Sequence, residues 1–359
     1  MKQRLVYFSL FLILIMWMFP SAPIYAQDSD SAGGVAGFTY ESIKPDNQRS
    51  EEGYFDLRMS PSQKQTVQVR IMNPADKEIE LTVKLNGVKT NANGVLEYGP
   101  NLIENDESLK FDFTDIVKAP ETIKIPAKGE TRLDIDISMP ETSFDGLIAG
   151  GIQLQKKDTE TQNKTKGAGI INKYAYLLGM VLSETDVVVE PELKFNKVYP
   201  ELNNYRNTFF VNFSNIKANY LENMTTDVQI MGEKSDKVLY ETKKTGMRMG
   251  PNTKINFPVS MDGDKVVPGN YRAHILVTSG AKKWEWNETF KITDEEADKL
   301  NQEDVNMLET QTVNWKFVGI LVGSILVGSL LLFFVIRFIV SKKKKSSKKK
   351  QVPRKHKER

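Results

Sequence analysis

Gln65-Thr66-Val67-Gln68-Val69-Arg70-Ile71-Met72, closed by Asn73-Pro74, places apolar side chains at every second position. Side chains of an extended chain point alternately to opposite faces, so this stretch makes a strand with one face in a core and the other in water. The pattern recurs at Ile79, Leu81, Val83 and Leu85, followed by Asn86-Gly87 and Asn93-Gly94, and at Leu133, Ile135, Ile137 and Met139, which stop at Pro140. Asn, Gly and Pro at the ends supply the turns. Short strands at this spacing, with no long helical pattern between them, predict an all-β sandwich.

Outward from there, Gly146 to Gln155 and Ile170 to Leu182 are apolar and β-rich, separated by the polar stretch Lys156 to Lys166. They read as a hairpin with a long loop that closes a first domain over residues 28–184, although the polar stretch could instead be the linker. Seven further segments follow: Leu193 to Val198, Thr208 to Phe213, Thr226 to Met231, Val238 to Thr242, Lys254 to Val259, Tyr271 to Thr278 and Trp284 to Ile292. Seven strands over about a hundred residues is the count of an immunoglobulin-like domain, here residues 185–293. The expected architecture is two tandem immunoglobulin-like β-sandwiches. Thr293-Asp294-Glu295-Glu296 then forms a capping box, and residues 294–314 are expected to be a short juxtamembrane helix or stalk that lifts the second sandwich off a membrane.

The two ends differ from this body. In residues 1–26, Lys2 and Arg4 precede an apolar run from Leu5 to Phe19 and a small residue, Ala26, which reads as a signal peptide or, alternatively, an uncleaved anchor. Phe317 to Ile336 contains no charge, and as a helix it spans a bilayer core, the whole element running over 317–340. A basic tail follows at 341–359, so the positive-inside rule puts the C-terminus in the cytoplasm and the β-domains outside. Residues 27–315 carry 34 basic against 45 acidic side chains, a net charge of about −11. That balance argues against nucleic acid or anionic lipid as the partner of this region.

The composition also bounds the chemistry. With no cysteine, a disulfide framework and thiol catalysis are excluded. The chain has two histidines, His274 in an expected strand and His356 in the tail, so no histidine dyad or histidine metal site assembles. Carboxylates such as Asp134 and Asp136 fall on the wet face of an alternating strand, and Asp262-Gly263-Asp264 reads as a turn in preference to a calcium loop. No enzyme activity, cofactor or metal is expected. Gly319 and Gly323 form a small-residue pair within the apolar helix.

Binding is what remains. Tyr40, Asn47, Gln48, Tyr54, Asn91, Asn93 and Tyr98 collect aromatic and amide groups in loop contexts, suited to sugar or peptide ligands. The competing reading makes Tyr54, Phe55 and Leu57 core residues and the asparagines turn-formers. Trp284 and Trp286, two apart, share one strand face, which is either core or a partner-binding patch.

Phe38-Thr-Tyr40, Pro45-Asp-Asn-Gln48, Gly53-Tyr-Phe-Asp-Leu57, Thr90-Asn-Ala-Asn-Gly94 with Tyr98, and Phe144-Asp-Gly146 with Gly150-Gly-Ile152 together resemble the N-terminal domain of the WxL-interacting proteins of Gram-positive bacteria. Met249-Gly-Pro-Asn252, Pro268-Gly-Asn-Tyr271, Trp284 to Ile292 and Glu296-Ala-Asp-Lys-Leu-Asn301 resemble their C-terminal domain. One departure is Pro61-Ser62-Gln63, where the resemblance leads one to expect a glycine. The resemblance implies a surface scaffold whose first domain binds peptidoglycan, whose second contacts host extracellular-matrix protein, and which partners WxL-domain surface proteins. An assembly chaperone that exchanges a β-strand at a sheet edge is the alternative.

Overall fold

The computed structural model describes residues 34, 36–157, 173–305 and 315–347. The expected signal peptide, most of the polar stretch after Lys156, residues 306–314 and the end of the basic tail lie outside the described residues.

Strands are numbered along the chain. In the first sandwich one sheet runs β1 (Thr39–Ile43), β3 (Lys64–Met72), β9 (Glu130–Ser138) and β7 (Val117–Lys118). The facing sheet runs β2 (Phe55–Arg58), β11 (Ala175–Ser183), β10 (Leu147–Lys156), β4 (Ile79–Gly87) and β8 (Thr122–Ile125). The alternation explains the packing directly: Val67, Val69 and Ile71 of β3 and Leu133, Ile135 and Ile137 of β9 are buried together with Phe38, Phe55 and Leu81. The intervening Asp134 and Asp136 face outward and accept hydrogen bonds from Gln68 and Thr66. β10 and β11 pair antiparallel, Leu147 opposite Ser183 and Gln155 opposite Ala175. β11 also pairs parallel with β2, so by its hydrogen bonds it is a strand of the first sandwich.

The second sandwich has a sheet of β12 (Leu193–Asn203), β13 (Arg206–Asn215) and β16 (Thr253–Ser260). Against it lies a sheet of β15 (Val238–Met249), β14 (Leu221–Gly232), β17 (Gly269–Ser279) and β18 (Lys282–Ile292). Three strands facing four is the immunoglobulin-like count expected from the sequence. Phe209, Phe213 and Phe257 fill its centre, with Val228, Ile230 and Ile275 opposite. Each sandwich has its own core cluster. A short hairpin, β5 (Lys89–Thr90) and β6 (Leu96–Glu97), and a single helical turn, α1 (Phe113–Ile116), connect the strands of the first domain.

Helix α2 (Asp294–Glu303) begins with the capping box read from the sequence: the Glu296 N–H donates to Thr293 Oγ1 at 3.2 Å and the Thr293 N–H to Glu296 Oε2 at 2.9 Å. The expectation that this segment lifts the second sandwich is corrected over its described part. Ala297 is buried and Leu300 packs on the second core. Asn301 accepts from the Val266 N–H at 2.8 Å and donates to its carbonyl at 2.9 Å, while Asp304 accepts from the Asn207 N–H at 2.7 Å. These four residues fall at helical spacing on one face, which the local sequence had hidden because two of them are polar.

Helix α3 (Trp315–Ser347) contains the apolar stretch Phe317–Phe338, 22 residues of mean hydropathy 2.7, with none of it buried against the rest of the protein. At 1.5 Å per residue it is roughly 33 Å long, enough to cross a hydrocarbon core. It is a candidate membrane span by length and composition.

The departure at Ser62 has a structural counterpart. Its φ is +61°, and its N–H donates to the Pro140 carbonyl at 2.8 Å. A side chain in this left-handed region costs about 1–2 kcal/mol, partly offset in glycine by the greater freedom of the unfolded chain. Ser62→Gly is therefore expected to raise stability by roughly 0.5–1 kcal/mol in denaturant unfolding; a loss of stability would show that the serine is held there by something other than turn geometry.

Candidate functional site at the seam between the sandwiches

The candidate binding residues separate into three places. Near β2, Asn47 donates to the Arg58 carbonyl at 2.8 Å and exchanges amide hydrogen bonds with Gln65. Gln48 donates to the carbonyls of Ser50 and Tyr54 and accepts from the Asp56 N–H. Both amides thus staple the loop that precedes β2. Tyr54 and Tyr40 are half-buried against the first core, and Tyr40 lies 5.0 Å from the Tyr176 ring. Burial, reinforced by Tyr176, raises the Tyr40 pKa.

On β18, Trp284 and Trp286 point inward. The Trp286 ring sits 6.2 Å from Phe195 and 6.0 Å from Phe213, and Trp284 Nε1 donates to Glu192 at 3.1 Å. Both rings pack against the second core.

The third group lies where the two sandwiches meet. Asn91 shapes the β5–β6 hairpin by accepting from the N–H groups of Asn93 and Val95 and donating to Glu97. Asn93 accepts from Lys244 Nζ at 2.7 Å, and the Tyr98 and Tyr220 hydroxyls are 3.1 Å apart. Burial pushes both tyrosines above their ordinary pKa, Tyr220 far above it. The hairpin is therefore the arm by which the first domain holds the second.

A buried triad lies beneath it. The Gly250 N–H donates to Thr90 Oγ1 at 3.0 Å, Thr253 Oγ1 donates to the Gly250 carbonyl at 3.0 Å, and the two threonine oxygens are 2.6 Å apart. With the Thr253 proton committed to Gly250, the Thr90 hydroxyl is the donor to Thr253, and one self-consistent arrangement satisfies every group. Glycines permit the approach. A Cβ on Gly94, at φ +68°, would come within 2.6 Å of the Met247 side chain. One on Gly146, at φ +99°, would land on the Ala218 carbonyl oxygen, which instead accepts from the Leu147 N–H at 2.7 Å. Asp106 adds a buried carboxylate that accepts from Ser108 and from Ser214 of the second sandwich. Burial opposes its charge, yet these hydrogen bonds outweigh that and hold its pKa below the ordinary aspartate value.

Beside the seam opens a cleft of about 420 Å³, walled by Lys89, Phe111, Phe144 and Ile148 from one side and by Lys217 and Asn252 from the other. Sequence reading did not find it, because its walls come from residues far apart in the chain. A signal was present, since Phe144-Asp-Gly146 and Met249-Gly-Pro-Asn252 both border it. Among the described residues, no cluster of three or more His, Cys, Asp or Glu is placed to hold a metal ion.

Two family models match in tandem: "WxL Interacting Protein, peptidoglycan binding domain" over residues 38–156 and "WxL Interacting Protein, host binding domain" over residues 165–302. The chain belongs to the WxL-interacting protein family. In this WxL-interacting protein the second family span begins before β11, whose ladder partners β10 and β2 are both strands of the first sandwich, so the stretch of sequence matched and the unit of folding differ by one strand. No curated protein matches. Solved structures similar to it include the SafA pilin in complex with the SafB chaperone of Salmonella enterica, at 9% identity and TM-score 0.28 over 72% of this chain and 99% of that one. The CupB2 chaperone of Pseudomonas aeruginosa matches at 10% identity and TM-score 0.25 over 63% of this chain and 92% of that one. Similarity this slight bears on neither function nor partners.

The seam yields two expected outcomes. Thr90→Val leaves the buried Gly250 N–H without its acceptor and should lower unfolding stability by about 1–3 kcal/mol, measured by denaturant titration. Because the Asp106 pKa is lower folded than unfolded, its contribution is complete above the unfolded value of about 4 and is lost as pH falls through the folded value. Asp106→Asn should therefore flatten the acid limb of a stability-against-pH curve, and an unchanged limb would remove Asp106 from the account.

Proposed function

We propose that this protein is a non-enzymatic surface adaptor, tethered by α3 with its basic tail in the cytoplasm, that binds WxL-domain surface proteins and peptidoglycan from a two-domain body outside the cell. The observation that carries this reading is the tandem match to a peptidoglycan-binding and a host-binding family in one chain whose C-terminal helix is long and apolar enough to span a bilayer. Host matrix protein is a further partner of the second domain. The acidic balance of residues 27–315 shapes the mechanism: an anionic wall repels the body within a Debye length of about 8–10 Å, so attachment relies on short-range hydrogen bonds and ring contacts that outweigh that repulsion.

Within this proposal Tyr40 and Tyr54 remain candidate wall contacts, with Asn47 and Gln48 fixing the shape of the adjoining loop. Alanine at both tyrosines is expected to reduce co-sedimentation with purified peptidoglycan several-fold while the melting transition persists. Unchanged sedimentation by a folded variant would remove that surface. For the protein partner, pulldown with the full chain in detergent should retain folded WxL-domain proteins. Retention of unfolded subunits alone would favour the strand-exchanging chaperone, and glycan cleavage abolished by a single Asp or Glu substitution would favour a hydrolase. Protease added to whole cells should trim the β-domains, and their protection would reverse the proposed orientation.

A further inference from the structure

The interdomain cleft combines two kinds of surface. Its floor is aromatic, with Phe111 and Phe144 half-buried and their rings 5.4 Å apart. Its rim carries Lys89, Lys110 and Lys217. Elsewhere on the seam, cationic groups are matched: Lys244 with Asn93, Lys254 with Glu104 at 2.9 Å, and Arg248 with Glu222 through two hydrogen bonds of 2.5 Å. The three rim lysines have no side-chain hydrogen bond or ion pair among the described residues.

Lys89 is the most telling of them. It is half-buried on β5, and loss of hydration lowers its pKa against the opposing pull of Asp112. The nearby carboxylates are engaged elsewhere, Asp112 by Thr114 and Asn105 and Asp145 by Thr185. Asp112 acts on Lys89 through its charge but makes no contact with it, so the partly dehydrated ammonium keeps its donors free, and an incoming carboxylate would satisfy them through a charge-assisted hydrogen bond. In a body that carries about −11 overall, such a cationic spot selects acid locally against a repulsive background.

We propose that the cleft binds a short segment of a partner protein in which a large aromatic or aliphatic side chain, seated on Phe111 and Phe144, lies next to a carboxylate held by Lys89 and Lys217. This rests on the adaptor reading and locates its protein-binding site. The volume of about 420 Å³ falls within the range of pockets that enclose a few side chains. Wall stem peptides also bear carboxylates, but they are built largely from small side chains that leave an aromatic floor uncovered. Both domains wall the cleft, and the triad beneath the hairpin fixes them, so the site is formed before its occupant arrives.

The test uses the full chain in detergent micelles and the dye-labelled peptide Asp-Glu-Trp-Asp-Leu, with its amide counterpart Asn-Gln-Trp-Asn-Leu as control, followed by fluorescence anisotropy. The acidic peptide should bind at least about tenfold more tightly than the amide, and Lys89→Gln with Lys217→Gln should abolish that preference. If the double variant melts early, Lys110→Gln on the exposed rim should still weaken acidic-peptide binding measurably. Equal affinity for the two peptides, no binding of either, or wild-type affinity in the folded variants would overturn the proposal. Displacement by soluble muropeptide at lower concentration than the acidic peptide would overturn it too, by assigning the cleft to the wall. Capture of WxL-domain protein equally by wild type and double variant would sink the cleft and spare the adaptor reading. Failure of the wild type to capture any, with peptide binding intact, would do the reverse.

Discussion

Close backbone approach at the seam is the constraint on which the rest of the molecule depends. Two sandwiches joined in tandem ordinarily move relative to one another unless their interface is extensive. Here Gly146 touches the Ala218 carbonyl and Gly94 lies under Met247, leaving no room for a Cβ at either place. The Thr90–Thr253–Gly250 triad then completes the hydrogen bonding of groups that this approach removes from water. Fixing the domains also fixes the cleft between them, and with it the positions of the rim lysines.

The polar residues of the loops have a corresponding role. Asn47, Gln48 and Asn91 spend most of their hydrogen-bonding capacity on backbone groups of their own loops and on neighbouring side chains. Amides do this well because each carries both donors and acceptors, so a single residue can bind a loop at two points. Such loops form stiff walls around whatever ligand-facing groups remain.

The strands were legible in the sequence because period-two alternation is a local signal. Val67, Val69 and Ile71 declare their core face without reference to any other part of the chain, and the capping box at Thr293 is equally local. The cleft was not legible for the opposite reason: Lys89 and Lys217 border one cleft only after both sandwiches have folded and docked. The docking of α2 was missed in the same way, since Asn301 and Asp304 look like solvent-facing residues until Val266 and Asn207 are seen beside them. Trp284 and Trp286 left two readings open, and the inward direction of their rings depends on which side of β18 the facing sheet occupies.

The docked helix sets a limit on reach. Val305 donates its N–H to Tyr205, so the folded body extends to that residue, and the apolar helix begins at Trp315. Nine residues separate them. Even fully drawn out, such a connection spans no more than about 35 Å. If α3 crosses a bilayer as proposed, this connection holds the near end of the second sandwich within about that distance of the membrane surface.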